Sequence, residues 1–175
     1  KAFHALAFTP KVFTFTISPA WQRTEREGMP AFTQSNDWVR IALNIELFRS
    51  AKHKKQMCER LIYLTYHEIH HAARKYAGYL PGKEQHILMN SMISEGLADH
   101  FALEQFPSDY IKDKVSYDLK EIKKWLPKLK SIKWTAGYHD SWVMGGEGKP
   151  AALGYKIGRY IIENVKKHDP EFTAT

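Results

Sequence analysis

The stretch LTYHEIHHAARKYAG at residues 64–78 holds three of the chain's nine histidines within five positions. Residues four apart share one face of an α-helix, so a helix here would bring the imidazoles of His67 and His71 to one point. Glu68 follows His67 directly and lies beside that point. Two neutral ring nitrogens suit zinc, and a neighbouring carboxylate can take a proton from a water molecule. This HExxH pattern therefore predicts a helix with two metal ligands and a general base.

Five-letter patterns also recur by chance in ordinary helices, so a third ligand is needed to separate the two interpretations. The metzincin continuation HExxHxxGxxH is excluded, because Arg74 stands at its glycine position and Ala77 at its last histidine. The segment SEGLAD at 94–99 offers Glu95 instead. A turn near 78–82 would make the two helices antiparallel, and their lengths would then bring Glu95 level with the histidines.

Asp99 lies four residues after Glu95 and therefore on the same helix face. From there its carboxylate can accept the second ring N–H of a ligating histidine and so fix the tautomer of that ring. His70 is spaced three residues from His67, but that pairing places Glu68 less favourably, and we expect His70 either to support a metal ligand from behind or to pack beside the site. HExxH followed by ExxxD is the gluzincin, or thermolysin-like, signature, which predicts zinc bound by two histidines and one glutamate.

The length of 175 residues predicts one domain, because a chain of this size can bury one hydrophobic core but is too short for two cores of ordinary size. Hydrophobic residues make up 43% and aromatic residues 13%, which are globular values that argue against disorder. The longest apolar runs, such as LIYL at 61–64, are far shorter than a membrane span. The composition therefore predicts a soluble protein with no membrane span.

The net charge of +7, from 26 basic and 19 acidic residues, raises the question of a nucleic-acid partner. The basic residues cluster at 51–55 and 120–134, and no helix-turn-helix, zinc knuckle or aromatic stacking motif accompanies them. We interpret both clusters as solvated helix faces and expect no nucleic-acid partner, which leaves a nucleic-acid binder as the weakest alternative. Cys58 is the single cysteine, so an intrachain disulfide and a thiolate metal site are excluded.

The location of the protein is predicted from the absence of a visible signal peptide, which favours the cytoplasm. The sequence begins at Lys1 rather than Met. A leader preceding Lys1 would make an exported protein the expectation instead.

Alternating and β-branched runs predict strands at 3–8, 11–18 and 37–45, with a loop rich in Gly28, Pro30 and Asn36 before the last of them. Apolar spacings of three, four and seven predict helices at about 51–77, 83–106, 111–132 and 150–167, the third broken by Pro127. The expected class is α+β and mainly helical. The strands lie between about 3 and 45 and the helices between about 51 and 167 of one domain, residues 1–175.

Three motifs occur in a recognisable order: HEIHH at 67–71, SEGLADHFA at 94–102 and PAALGYKIGRYII at 150–162. Together they resemble a bacterial family of predicted zinc-dependent proteases marked by HExxH, SEGLA and a C-terminal GYxIG segment. The resemblance covers about residues 28–165. It implies a zincin-like fold of the gluzincin clan, with a small N-terminal sheet whose edge strand faces the cleft, an active-site helix and an antiparallel glutamate helix.

The expected activity is that of a zinc metallopeptidase, with Zn2+ as cofactor and a peptide or protein as substrate. Zinc would be held by His67, His71 and Glu95 and would lower the pKa of a water molecule to about 7. Glu68 would act as base and then as acid. An extended peptide is expected to add to a free strand edge at 37–45.

The oxyanion that develops on the attacked carbonyl needs a hydrogen-bond donor. Two regions of the sequence offer candidates, and the residues alone do not decide between them. Gly154 and Gly158 lie four apart and predict that the last helix approaches another backbone closely. Tyr155, between them, can project its phenol into the cleft or simply pack in the core. Tyr138 and His139 in the loop WTAGYHDSW are the competing donors.

Two other classes of function would use the same residues. A non-peptidase zinc amidohydrolase or esterase would share every ligand and differ only in its substrate. A catalytically inactive binding module would bind zinc only to stabilise its fold. Retention of Glu68 argues against the inactive module, because a purely structural site gains nothing from a general base.

Overall fold

Backbone hydrogen bonds in the N-terminal part of the chain form a three-stranded sheet, and most of the remaining described residues are helical. The computed structural model describes residues 1–19, 29–75, 88–129 and 140–175. In chain order the elements are α1 (Ala2–Ala5), β1 (Thr14–Pro19), β2 (Ala31–Ser35), β3 (Trp38–Leu43), α2 (Ile45–Arg49), α3 (Lys54–Ala73), α4 (Leu88–Gln105), α5 (Asp109–Lys114), α6 (Leu119–Leu129), a π-helical segment (Asp140–Met144) and α7 (Leu153–His168). The predicted α+β, mainly helical class is confirmed.

Strand β3 is the centre of the sheet, since β1 pairs with it in parallel and β2 pairs with it antiparallel. Its side chains alternate as predicted, with Val39 and Ile41 buried and Trp38 and Arg40 exposed. Because β3 has a hydrogen-bonded neighbour on both sides, the prediction of a free strand edge at 37–45 is wrong. Within the described residues the edges of the sheet are β1 and β2.

Strand β2 occupies a segment that the sequence analysis predicted to be a loop. Pro30 and Asn36, the residues that suggested a loop, flank the strand instead. The strand is five residues long, and its exposed Phe32 and Gln34 alternate with the buried Thr33. Such a short alternation becomes diagnostic only when its hydrogen-bonding partner is known, because strand formation depends on the neighbouring strand.

The predicted strand at 3–8 is wrong, because Ala2–Ala5 form the short helix α1. With the chain in this conformation, the rings of Phe3 and Phe8 both reach Phe13, at centroid distances of 4.9 and 6.0 Å. Packing of the three rings outweighs the weak strand preference of an alternating aromatic pattern.

The helices predicted around 51–77 and 83–106 are confirmed in their described parts as α3 and α4. The turn expected near 78–82 lies outside the described residues. The last helix, expected from Pro150 to Lys167, begins three residues later, at Leu153, and ends at His168.

The third predicted helix is two helices, α5 and α6, and Pro127 does not separate them. Helix α6 begins after Asp118, whose carboxylate accepts a hydrogen bond from the Lys120 N–H at 2.8 Å. Pro127 and Lys123 are both exposed. Water can therefore satisfy the Lys123 carbonyl, which the missing N–H of Pro127 leaves without its helical donor.

The described residues divide into two compact units. The first takes its residues from 1–80 and 101–112 and includes Thr175, and the second takes its residues from 81–100 and 113–174. The single domain expected from the length stays a prediction. Within the described residues, none of the helices combines the length and the hydrophobicity that a transmembrane span requires.

Each unit has its own hydrophobic core. In the first, α3 packs on the sheet, and Met57 of this helix joins Val39 and Ile41 of β3 in one buried cluster. In the second, a buried cluster joins α4, α6, the π-helical segment and α7, and its fully buried members include Met92 and Ile157. The first core fixes the height of α3 above β2 and β3, which is what positions the HEIHH stretch.

Candidate metal centre

The two outer histidines of HEIHH converge on helix α3. Their Nε2 atoms lie 3.0 Å apart, and the two side chains are 5% and 4% exposed. The helix runs without a Gly or Pro from Lys54 to Ala73, so the spacing of four keeps His67 and His71 on one face. The convergence predicted from their spacing is therefore confirmed, whereas their role as ligands stays a prediction.

A carboxylate joins these two imidazoles. The ligand atoms of His67, His71 and Glu95 all lie within 4.8 Å of one another. His70 and His100 are not part of this group. The ring of His70 packs at 5.4 Å from that of Phe101, and His100 Nε2 lies 3.2 Å from Lys166 Nζ.

This set of donors fits a zinc ion. Two imidazole nitrogens and one carboxylate oxygen are the ligand types found in catalytic zinc sites, which keep the fourth position for water or substrate. Nitrogens bound at about 2.0–2.1 Å to one tetrahedral ion lie about 3.3 Å from each other. The observed separation of 3.0 Å between the two Nε2 atoms is close to that value.

Glu68, between the two histidines in sequence, is held by a residue that the sequence analysis did not identify. Its carboxylate is buried, with the residue 6% exposed, and Oε2 accepts a hydrogen bond from Thr33 Oγ1 at 2.7 Å. Thr33 lies on β2 and is itself 8% exposed. The one signal in the sequence was the short alternation around Thr33, in a segment predicted to be a loop.

Two glycines from the SEGLA and GYxIG motifs allow α4 and α7 to cross at very short range. A Cβ atom on Gly96 would overlap the backbone carbonyl of Gly158, and a Cβ atom on Gly158 would overlap the carbonyl oxygen of Met92. Gly154 approaches the backbone of Val143, where an added Cβ would lie 2.7 Å from the Cα atom. The predicted close approach of the last helix is confirmed, and it fixes the part of α4 that carries Glu95.

The remaining predicted site residues lie in different surroundings. Asp99 is 3% exposed on α4, in keeping with an inward-facing carboxylate. Tyr155 is partly buried and packs against the core cluster of the second unit. Tyr138 and His139 lie outside the described residues. The roles given to Asp99, Tyr155 and His139 stay predictions.

A comparison with protein families points to zinc dependence. Residues 11–175 match the model of a family described as "Predicted Zn-dependent protease (DUF2268)". No curated protein and no solved structure matches the chain. Because the family model spans nearly the whole sequence, the chain belongs to this family of predicted zinc-dependent proteases.

Proposed function

We propose that the protein is a zinc metallopeptidase of the gluzincin type, in which Glu68 is the general base. The observation that carries this proposal is the gathering of His67, His71 and Glu95 within 4.8 Å, with the buried Glu68 one residue from the first ligand. Membership of a family of predicted zinc-dependent proteases supports it.

His67, His71 and Glu95 would hold the zinc ion. When bound there, zinc supplies Lewis-acid chemistry: it polarises the carbonyl of the peptide bond and lowers the pKa of a water molecule to about 7. Glu68 takes a proton from the attacking water and later passes it to the amine of the leaving peptide. Asp99 accepts the outer ring N–H of a ligating histidine and so keeps the inner nitrogen unprotonated.

The oxyanion that develops on the attacked carbonyl needs a hydrogen-bond donor. Tyr155 and His139 are the two proposed donors, each with a polar hydrogen that can be directed at a developing negative charge. Changing Tyr155 to Phe removes only the hydroxyl, so a fall in kcat with unchanged KM would assign the role to Tyr155.

The substrate would bind as an extended strand along β2, rather than at 37–45 as first expected. Pro30 O accepts a hydrogen bond from Ala42 N at 2.9 Å, so the next residues of β2 alternate in direction. Ala31 and Thr33 therefore turn their N–H and C=O groups toward the other edge of the strand. Among the described strands none pairs with that edge, which gives a peptide main chain a template.

The proposed reaction is tested with Glu68→Gln, which keeps the size of the side chain and removes its basicity. The variant should retain zinc and lose cleavage of a peptide library, with the wild type as reference. Full cleavage by Glu68→Gln would contradict the assignment. A parallel panel of simple esters and amides distinguishes a peptidase from a zinc amidohydrolase or esterase, which would cleave the panel and leave the library intact.

A further inference from the structure

Thr33 contacts the proposed general base from a different element of the fold. Its hydroxyl oxygen lies 2.7 Å from Glu68 Oε2 and 2.9 Å from Glu68 O. Both residues are almost fully buried, at 8% and 6% exposure. The contact joins strand β2 to helix α3, which pack against each other in the first unit.

Of the two acceptors near the Thr33 hydroxyl, the Glu68 carboxylate is the better one. A hydroxyl group carries one hydrogen, so Thr33 can make one full hydrogen bond to Glu68. Within α3 the Glu68 carbonyl is the usual acceptor for the N–H of Ala72, four residues further on. A bond to a charged oxygen is also stronger than a bond to a carbonyl that already has a donor. The Thr33 hydroxyl therefore donates its hydrogen bond to Glu68 Oε2.

This bond fixes the direction of the Glu68 side chain. A glutamate has several rotatable bonds, and a general base works only when its oxygen lies within hydrogen-bond reach of the proton that it removes. With Oε2 held by Thr33, the carboxylate plane is set and Oε1 is the oxygen left for the reacting groups. Oε2 remains an acceptor whether or not Oε1 carries a proton, so the bond can persist through the proton transfer.

We propose that Thr33 is a positioning residue for Glu68, whose hydroxyl on β2 holds the carboxylate in its working orientation. The inference rests on the proposed function, because it takes Glu68 as the general base. In this proposal Thr33 has two roles. The main chain of Thr33 faces the edge where the peptide would bind, while its side chain orients the group that takes the proton.

The test compares three variants of the zinc-loaded protein. Thr33→Val keeps the shape and removes the hydroxyl, whereas Thr33→Ser keeps the hydroxyl and removes a methyl group. Thr65→Val is the matched control, since it removes a hydroxyl on α3 that donates to Leu61 O at 2.8 Å and not to Glu68. Zinc content and melting temperature of each variant show whether site and fold are intact.

We expect Thr33→Val to lower kcat by about 10- to 100-fold, below the about 10²- to 10⁴-fold that complete loss of a general base costs. KM and zinc content should stay at the wild-type values. Thr33→Ser should recover most of the wild-type kcat, and Thr65→Val should equal the wild type. A residue that only supports the fold would instead lower the melting temperature and the activity together, without recovery by Ser.

A second readout needs neither metal nor substrate. In metal-free protein with ¹³C-labelled glutamate side chains, the carboxyl resonance of Glu68 is assigned by its disappearance in Glu68→Gln. Removal of the Thr33 hydrogen bond should shift this resonance in Thr33→Val and leave it unchanged in Thr33→Ser and Thr65→Val. Thr33→Ala replaces Thr33→Val in both experiments if the valine variant does not fold.

The outcomes separate this inference from the proposed function. An active wild type together with a fully active Thr33→Val and an unshifted Glu68 resonance overturns the inference alone. A zinc-loaded wild type that cleaves no peptide overturns the proposed function and the inference with it. Loss of kcat in Thr33→Val, recovery in Thr33→Ser and the expected resonance shift support the positioning role.

Discussion

Neighbouring side chains of the HEIHH stretch have different surroundings. His67 and His71 face each other with 3.0 Å between their Nε2 atoms, whereas His70 is fully buried beside the ring of Phe101. Helical spacing predicted the first pair, because it depends only on local geometry. The packing of His70 on Phe101 depends on a residue 31 positions away in the chain, so the sequence could indicate its role only by exclusion.

His70→Ala should leave zinc bound and lower the stability of the fold. The residue is 0% exposed, and truncating a side chain of that size in a core costs about 2–5 kcal/mol. Urea denaturation measures the loss, and metal analysis measures the zinc. His100→Ala, on a partly exposed residue, should change both much less. Loss of zinc from His70→Ala would show that His70 is a ligand.

Asp99→Ala should weaken zinc binding without abolishing it. Residues that orient a metal ligand typically contribute about 10- to 100-fold to metal affinity or activity. A competition titration against a chelator measures this change. Asp99→Asn keeps the size and an acceptor oxygen and should lie between alanine and wild type. An unchanged zinc affinity in Asp99→Ala would show that Asp99 does not orient a metal ligand.

At the scale of elements, short-range patterns predicted α3, α4 and β3 well, because each is long or strongly periodic. They failed where a contact distant in sequence decides the conformation. Residues 3–8 alternate like a strand, but α1 takes up residues 2–5, and the rings of Phe3 and Phe8 pack on Phe13. The strand β2 was missed because only its pairing with β3 distinguishes it from a loop. Thr33 was missed with it.

The crossing of α4 and α7 predicts a severe effect of Gly158→Ala. The added methyl group would overlap the Met92 carbonyl, which is backbone and cannot move without separating the helices. We expect a loss of stability at the upper end for point substitutions, about 3 kcal/mol or more, measured by chemical denaturation. Val165→Ala, on an exposed position of α7, is the control and should have little effect. Wild-type stability in Gly158→Ala would contradict the close crossing.

At the scale of the whole molecule, one half-buried pair, Tyr117 and Glu163, makes stability depend on pH in the alkaline range. Burial, together with the hydrogen bond that the Tyr117 hydroxyl donates to Glu163, raises the pKa of Tyr117 above its ordinary value of 10.0. As the pH rises past about 10, the unfolded chain loses this proton before the folded chain does. The stabilisation is therefore present below pH 10 and is lost as the pH rises toward the folded-state pKa.

Tyr117→Phe should reduce this loss of stability at alkaline pH. The free energy of unfolding is measured by urea denaturation at about pH 8 and about pH 11 in wild type and variant. Lysines titrate in both proteins, so the difference between the two slopes isolates Tyr117. The wild type should lose more stability than the variant over this interval. Equal losses would show that the pKa of Tyr117 is the same in the folded and unfolded chains.

The sequence predicted more of the candidate site than of the sheet. HEIHH and SEGLAD are each local to one helix, and they supply the three candidate ligands whose atoms lie within 4.8 Å of one another, His67, His71 and Glu95. What one sequence could not provide is the partner that orients each group, because Thr33 and Phe101 reach the HEIHH helix only through tertiary packing. Motifs therefore predicted the candidate ligands, and the fold adds the residues around them.

The most direct test of a centre built from two histidines and Glu95 is the zinc content of purified Glu95→Ala, compared with wild type and with His100→Ala. Wild type and His100→Ala should each carry about one zinc ion per chain, since three protein ligands suffice for a catalytic zinc site. Glu95→Ala should lose most of its zinc while keeping the helical content of the wild type by circular dichroism. If His100→Ala loses the metal and Glu95→Ala retains it, Glu95 is not the third ligand and the gluzincin assignment is wrong.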